Sequence, residues 1–312
     1  MILVFGSLNI DLVARVPVIA GPGRTVLARS YTTHHGGKGA NQAVAAARIA
    51  GSGKVRMAGR VGRDGFGDGA LQNLNANGID TELVLRADEP TGCAFITVDP
   101  GGENAITVAS GANTLASAAD VAAFPFGAGA ILVLQMEVPF AQSLEVARRT
   151  KSVSGIVIWN LAPVPERMTL AMLRDLLDAT DYLLVNEHEA LDAAAVIGAD
   201  TSDFEAAARG LAQAGELTCV VTAGAQGAFA MSGGGAGLRV PSPVIRPVDT
   251  TGAGDTFVGA FAAMLSEQAP LQKALEVGCE AAALKCLITG AQDGMPTRDA
   301  IRSIVGGEGA CC

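Results

Sequence analysis

The sequence predicts an α/β protein, a three-layer αβα, Rossmann-like parallel sheet with helices on both faces and a small β-sheet lid. Three observations predict it. From Ile131 onward, short apolar strand-like runs alternate with helical stretches, the pattern of a parallel sheet with helical crossovers. Two β-only segments, 10–35 and 90–108, interrupt that alternation. The chain has 312 residues, enough to bury a core without staples. The body is then 1–9, 36–89 and 109–312, and the lid is 10–35 and 90–108.

In chain order, Met1 to Phe5 reads as a buried strand ending at Gly6. Residues 10 to 33 read as an extended excursion broken by Pro17, Pro22 and Gly23, with strand-like alternation from Val26 to Thr33. A helix opens at Gly36 to Gly39 and stops at Gly51. Val55 to Val61 is strand-like, and Asp64 caps a helix that ends at Gly78. Residues 82–86, 92–98 and 104–109 are rich in β-formers, with a Pro-Gly-Gly turn at 100–102. Strands follow near 131–135, 155–159, 181–185, 218–222 and 227–231. Helices lie near 140–150, 169–178, 187–197 and 203–214, then from Gly254 to Glu267 and from Leu271 to Leu287.

Composition narrows the function. Hydrophobic residues make up 49% of the chain, yet no run approaches the ~18 apolar residues of a membrane helix. The net charge is −9, and the 22 Lys and Arg are scattered, without the basic stripe of a nucleic-acid binder. The acidic balance does not bar an anionic ligand, because a few local donors can hold a phosphate. Six cysteines without a C-x-x-C pair, and a first segment that reads as a strand and not as a leader, point to reduced thiols in a cytoplasm. The terminal Cys311-Cys312 lacks the spacing of a prenylation signal and reads as a frayed tail.

The sharpest feature is Asp249-Thr-Thr-Gly-Ala-Gly-Asp255-Thr-Phe. A Gly252-Ala253-Gly254 turn runs straight into a helix, so backbone N–H groups and the helix N-terminus form an anion hole suited to a phosphate. Asp255, in the first helical turn beside that hole, is placed to accept a proton from an attacking hydroxyl. The plain alternative is a helix cap. There is no G-x-x-x-x-G-K-[ST], so the chain is not a P-loop enzyme. The G-x-G starts at Gly37 and Gly252 lack the third glycine of a dinucleotide fingerprint.

Further motifs stand in order along nearly the whole chain: Gly6-Ser-Leu-Asn9-Ile-Asp11, Gly36-Gly-Lys38-Gly-Ala-Asn41-Gln-Ala, Gln135-Met-Glu137, Asn160-Leu-Ala-Pro163, Asn186-Glu-His-Glu189 and Thr222-Ala-Gly224-Ala-Gln-Gly227. With the 249–257 segment, they make the sequence resemble the ribokinase-like, pfkB-type carbohydrate kinases. The resemblance implies transfer of the ATP γ-phosphoryl group to a primary sugar hydroxyl, with Asp255 as base. It implies that Asn9, Asp11, Gly37, Lys38, Asn41 and Glu137 hold the sugar. Such a mixture of donors and acceptors suits a polyol, since each buried unpaired hydroxyl costs ~1–3 kcal/mol. Asn186, Thr222, Gly224, Gly227, Gly254 and Cys279 would line the nucleotide site. Glu189 would hold Mg²⁺ through water.

The resemblance also implies a monovalent cation, K⁺, beside the anion hole. Asp249 would give a carboxylate, and Thr251, Lys285, Ile288, Gly290 and Gly294 mainly backbone carbonyls. Here the sequence departs from the pattern. Gly294 stands where Ser is frequent, Lys285 where a small residue is expected, Cys279 where His is frequent, and Arg24 where Glu is common. The sugar that the motif set implies first is D-ribose, with fructose, 2-keto-3-deoxygluconate and nucleosides as alternatives. One Trp and two Tyr offer little shelf for a nucleobase. The resemblance further implies a homodimer through the lid. Two rivals are a non-catalytic sugar or nucleotide sensor on the same fold, which would be expected to lose Asp255 or the glycines, and a periplasmic sugar-binding protein, which would carry a leader.

Overall fold

The computed structural model describes residues 1–235 and 237–305; the Cys311-Cys312 tail lies outside the described residues. Thirteen strands among these residues divide into two sheets. The nine-stranded sheet contains β1 (Ile2–Phe5), β4 (Val55–Gly62), β5 (Asp80–Ala87), β8 (Ile131–Leu134), β9 (Ile156–Asn160), β10 (Tyr182–Asn186), β11 (Thr218–Thr222), β12 (Ala228–Ser232) and β13 (Gly237–Val240). Their spatial order is β13-β12-β11-β10-β9-β8-β1-β4-β5. Pairing is parallel from β11 through to β5, and β12 and β13 add antiparallel.

The central strands are apolar at every position because both faces are covered. In β1, Ile2 and Val4 point into one core and Leu3 and Phe5 into the other. In β8, Ile131 and Val133 join the first core and Leu132 and Leu134 the second. Helices α1 (Lys38–Ala50), α7 (Ala253–Ser266) and α8 (Leu271–Lys285) pack on the first face. Helices α3 (Phe140–Ser152), α4 (Leu170–Asp178), α5 (Glu187–Ile197) and α6 (Phe204–Gly215) pack on the second. Helix α2 (Gly65–Ala76) starts where expected, with the Asp64 carboxylate accepting from the Gly67 N–H at 2.8 Å.

The small sheet holds β2 (Asn9–Arg15), β3 (Tyr31–Gly36), β6 (Gly92–Val98) and β7 (Asn104–Ala109) in the order β3-β2-β6-β7. It is built from the two segments expected to interrupt the body. One expectation is corrected: the Val26–Ser30 stretch forms no strand. Residues 17–30 are almost all exposed and follow Pro17, Pro22 and Gly23, so the alternation there finds no partner strand to complete a ladder. Among the short elements not foreseen are β13 after the Gly233–Gly235 run and helix α9 (Arg298–Val305).

The contact that matters most for the site is α1 against α7. A Cβ on Gly259 would lie 2.5 Å from the Ala45 Cβ and 2.5 Å from the Gln42 carbonyl oxygen. Glycine and alanine on facing surfaces let the two helices approach closely. That approach brings the N-terminal residues of α1 onto the first turn of α7.

Candidate active site

Asp255 is buried in the first turn of α7. Its two oxygens are held by neighbouring residues of α1. The Asn41 Nδ2 donates to Oδ2 at 2.9 Å and the Gln42 Nε2 to Oδ1 at 3.0 Å. These amides are themselves fixed. Gln42 also donates to Asn160 Oδ1 (3.0 Å) and accepts from Gln135 Nε2 (2.7 Å), while Asn41 Oδ1 accepts from Gln292 Nε2 (2.9 Å). Each carboxylate oxygen has one donor, which sets the orientation of the group.

Residues Thr250 to Ala253 form a tight turn in which the Ala253 N–H donates to the Thr250 carbonyl at 3.1 Å. Gly252 sits at φ 75°, ψ 8°, the third position of a type II turn, where a side chain is disfavoured. Of the expected anion-hole donors, Ala253 is therefore already engaged. Gly254 and Asp255 carry the next N–H groups of the first turn, which have no partner within the helix. A Cβ built on Gly254 meets nothing within 4 Å, so this glycine borders open space.

That space is a cleft of about 140 Å³ lined by Lys38, Asn160, Asn186, Glu189, Thr222 and the 252–255 turn. A second cavity of about 360 Å³ shares Asn186, Thr222, Ala253 and Gly254 with it and adds Gly224, Gly227, Phe257 and Cys279. All six residues expected at the nucleotide thus border one cavity. A third cavity, of about 400 Å³, lies toward the small sheet and is lined by Asn9, Asn113, Glu137 and Val108 of β7.

Of the polar groups expected at the sugar, Asn9 and Glu137 line this third cavity, Lys38 borders the central cleft and Asn41 is bonded to Asp255. Glu137 Oε2 accepts from Ser7 Oγ (2.5 Å) and from the Lys38 N–H (3.0 Å). Asn9 Oδ1 accepts from Asn113 Nδ2 at 2.8 Å. Gly37 has φ 86°, and a Cβ there would lie 2.7 Å from the Asn9 backbone nitrogen, so no side chain fits. Burial pushes the Asp11 carboxyl up to about 6, with Glu137 and Asp255 adding to the rise and His34 opposing it. The Asp255 carboxylate raises Lys38 above the ordinary lysine value against the pull of burial, and Glu137 and Glu189 add to it.

Asn186 and Glu189 form a capping box on α5, with Asn186 Oδ1 accepting from the Glu189 N–H and Glu189 Oε2 from the Asn186 N–H, both at 2.8 Å. Glu189 nonetheless borders the central cleft. Burial raises its carboxyl above the usual range, while the Asn186 N–H and Lys38 pull it down. Among the described residues no three His, Cys, Asp or Glu side chains gather into a metal-holding group. One carboxylate at the edge of a phosphate-sized cleft fits Mg²⁺ held chiefly by water and phosphate.

The set expected around K⁺ is brought together, with one change. Asp249 Oδ1 accepts from the Thr251 N–H (2.9 Å) and Oδ2 from the Gly290 N–H (2.8 Å). Burial alone would raise the Asp249 carboxyl, but the Thr251 and Gly290 donors and Lys285 outweigh it and hold it low. Lys285 does not offer only its carbonyl. Its side chain is fully buried and the Nζ donates to the Asp249 carbonyl at 2.7 Å. The ammonium thus sits on the backbone of the residue whose carboxylate is expected at K⁺, and a further monovalent cation there would meet a like charge.

Sequence reasoning missed Asn113 and Gln292, and gave Ser7, Gln42, Gln135 and Asn160, all within its motifs, no role. A signal for Gln42 was present: Asn41 and Gln42 are polar side chains that precede an Ala43–Ala47 run of alanine and valine, a buried setting that is costly unless they have partners.

Comparisons with known proteins agree with this geometry. The family described as pfkB family carbohydrate kinase matches residues 1–298. The chain is 37% identical to a ribokinase of Bacillus subtilis over 308 residues, covering 97% of this chain and 99% of that one. The ribokinase structure from Thermotoga maritima superposes with a TM-score of 0.85 at 32% identity, covering 98% of this chain and 99% of that one. The Arabidopsis thaliana ribokinase complexed with ribose and ATP gives 0.82 at 29% identity, covering 97% and 98%. This chain is a member of the pfkB family of carbohydrate kinases.

Proposed function

We propose that the protein transfers the γ-phosphoryl group of ATP to the primary hydroxyl of D-ribose, giving ribose 5-phosphate. The observation that carries this reading is Asp255, oriented by two amides in the wall of a phosphate-sized cleft that shares residues with a cavity lined by the expected nucleotide residues. The ribose and ATP bound by the Arabidopsis relative support the same pair of ligands.

In this reading Asn9, Asp11, Lys38, Asn41 and Glu137 hold the sugar, with the backbone at Gly37 close by. Asp255 accepts the proton of the primary hydroxyl as its oxygen attacks the γ-phosphorus. The N–H groups at Gly254 and Asp255 and the N-terminus of α7 face the charge that grows on the transferring group. Lys38, whose ammonium is favoured by the carboxylates around it, balances charge between sugar and phosphate. Asn186, Thr222, Gly224, Gly227 and Cys279 bound the nucleotide. Glu189 would hold Mg²⁺ through water, and the ion would supply positive charge to offset that of the phosphates. No step is assigned to K⁺.

The small sheet acts as the lid, closing over the sugar and excluding water that would otherwise hydrolyse ATP. A homodimer through the lid is part of the proposal. Its support is exposed apolar side chains on both faces of the small sheet. Ile106 and Val108 share the face of Asn9 and Asp11, and Tyr31 and Phe95 lie on the other. A cytoplasmic setting is also proposed, supported by four cysteines, Cys93, Cys219, Cys279 and Cys286, that are free and buried. No helix among the described residues is long and apolar enough to cross a membrane.

The test is ATP consumption over a panel of ribose, fructose, 2-keto-3-deoxygluconate and adenosine, with the solution mass measured on the same sample. Ribose as the preferred acceptor and a mass of two chains are expected. A different preferred acceptor overturns the sugar, binding without turnover overturns the kinase in favour of a sensor, and a concentration-independent single-chain mass overturns the dimer.

A further inference from the structure

Lys285 is the last residue of α8 and is fully buried. A buried ammonium is costly unless an acceptor and a counter-charge meet it. Burial lowers the lysine below its ordinary value, and Asp249 opposes that with its nearby carboxylate while its carbonyl accepts from the Lys285 Nζ at 2.7 Å. The same stretch of backbone is clamped to the end of α8 by three more bonds. The Val248 and Asp249 N–H groups both reach the Cys286 carbonyl, at 2.7 and 3.1 Å, and the Gly290 N–H reaches the Asp249 carboxylate. Three residues beyond Asp249 the phosphate-facing turn begins at Gly252.

The surrounding carbonyls converge as a cation site would require. A Cβ on Gly294 would lie 2.8 Å from the Lys285 carbonyl oxygen and 3.2 Å from that of Ile288. These are groups that a dissolved cation would use. The carbonyl and both carboxylate oxygens of Asp249, however, already have protein donors. A second positive charge among them would repel the Lys285 ammonium where little water screens it.

We propose that the Lys285 ammonium is a built-in cation for the 249–254 loop, standing in for a dissolved monovalent ion and making the enzyme independent of K⁺. The inference rests on the kinase reading given above. Lys285 borders none of the three cavities of the site, so it acts as a positioning residue: it holds Asp249, and through it the turn whose N–H groups receive phosphate. A lysine at this position explains why a neighbouring glycine at 294 is tolerated, since no side-chain ligand is needed there.

The experiment compares turnover of ribose and the thermal unfolding midpoint of the whole protein in potassium chloride and in choline chloride at equal ionic strength. For the wild type both quantities are expected to agree between the two salts. Lys285→Ala, which removes the charge and opens space, should lose about tenfold or more in choline, recover in part with potassium, and unfold at a higher temperature when potassium is present. Lys285→Met, which removes the charge but fills the space, should stay slow in both salts. Saturable stimulation and stabilisation of the wild type by potassium overturns the inference, as does a Lys285→Ala variant with full activity in choline. If no sugar is phosphorylated in either salt, the kinase reading fails, and the response of the wild-type midpoint to potassium still decides the role of Lys285. The same wild-type comparison decides it if the variants do not fold.

Discussion

The Gln42 Nε2 lies 3.0 Å from Asp255 Oδ1, a contact that spans 213 residues of sequence and joins the N-terminal parts of two helices. Gln42 has no exposed surface, and the same nitrogen also donates to Asn160 Oδ1. It does not border the central cleft as Asp255 does. Its action on the reaction is therefore through the angle and position of the carboxylate.

Asp255→Asn should still fold, at a cost of ~1–3 kcal/mol because its one oxygen accepts from only one of Asn41 and Gln42 while its NH2 faces the other, and turnover should fall by ~10²–10⁴ or more with ligand binding retained. Gln42→Leu should lower kcat by roughly 10²-fold with little change in the sugar KM, the cost of a carboxylate displaced by about an ångström. It should also destabilise the fold by ~1–3 kcal/mol, because Gln135 and Asn160 lose buried partners. Gln42→Glu replaces the donor to Asp255 Oδ1 by a second carboxyl and should also lower kcat. Steady-state kinetics across pH check all three, and an unchanged kcat in Gln42→Leu would remove its positioning role.

Two glycine substitutions should separate folding from binding. Gly37→Ala places a Cβ at φ 86°, ψ 129° against the Asn9 and Ser7 backbone, so it should lower the unfolding midpoint, with ~1–3 kcal/mol lost to a backbone conformation that glycine alone adopts readily and more to the clash. Gly254→Ala meets no protein atom and should leave the midpoint unchanged. Its methyl group instead enters the space beside the phosphate-facing N–H groups, so ATP KM should rise and turnover fall. Calorimetry and kinetics on both variants test the contrast.

Asp11 gives a pH prediction. Its carboxyl is raised from 3.8 to about 6 in the fold, so folding takes up a proton between those values. The Asp11 contribution to stability then falls as pH rises through that window. Asp11→Asn should therefore raise the unfolding midpoint relative to wild type at pH 8 and not at pH 4. The sugar KM of the wild type should climb as pH falls below about 6, as the carboxylate loses acceptor capacity for hydroxyls, and the variant should show no such inflection. Equal midpoint differences at both pH values would remove the assignment.

The sequence by itself determined the layered body and the chemistry of the turn. Strands such as Ile131–Leu134 are apolar throughout because two helical layers must cover them, and that pattern is local. The Gly252-Ala253-Gly254-Asp255 turn is legible for the same reason: a positive φ and a helix start are properties of adjacent residues. Only the tertiary structure decided what holds Asp255 and what sits behind the loop. The Gln42 and Asn41 contacts depend on how closely α1 packs on α7, set by Gly259 against Ala45, and neither residue is near Asp255 in sequence. The Lys285 side chain is the clearest case. In sequence it is a departure from a backbone-carbonyl pattern, and its long flexible stem could have reached solvent. Packing of the α8 terminus against residues 248–249 leaves it one direction, onto the Asp249 carbonyl, because a buried ammonium must find an acceptor.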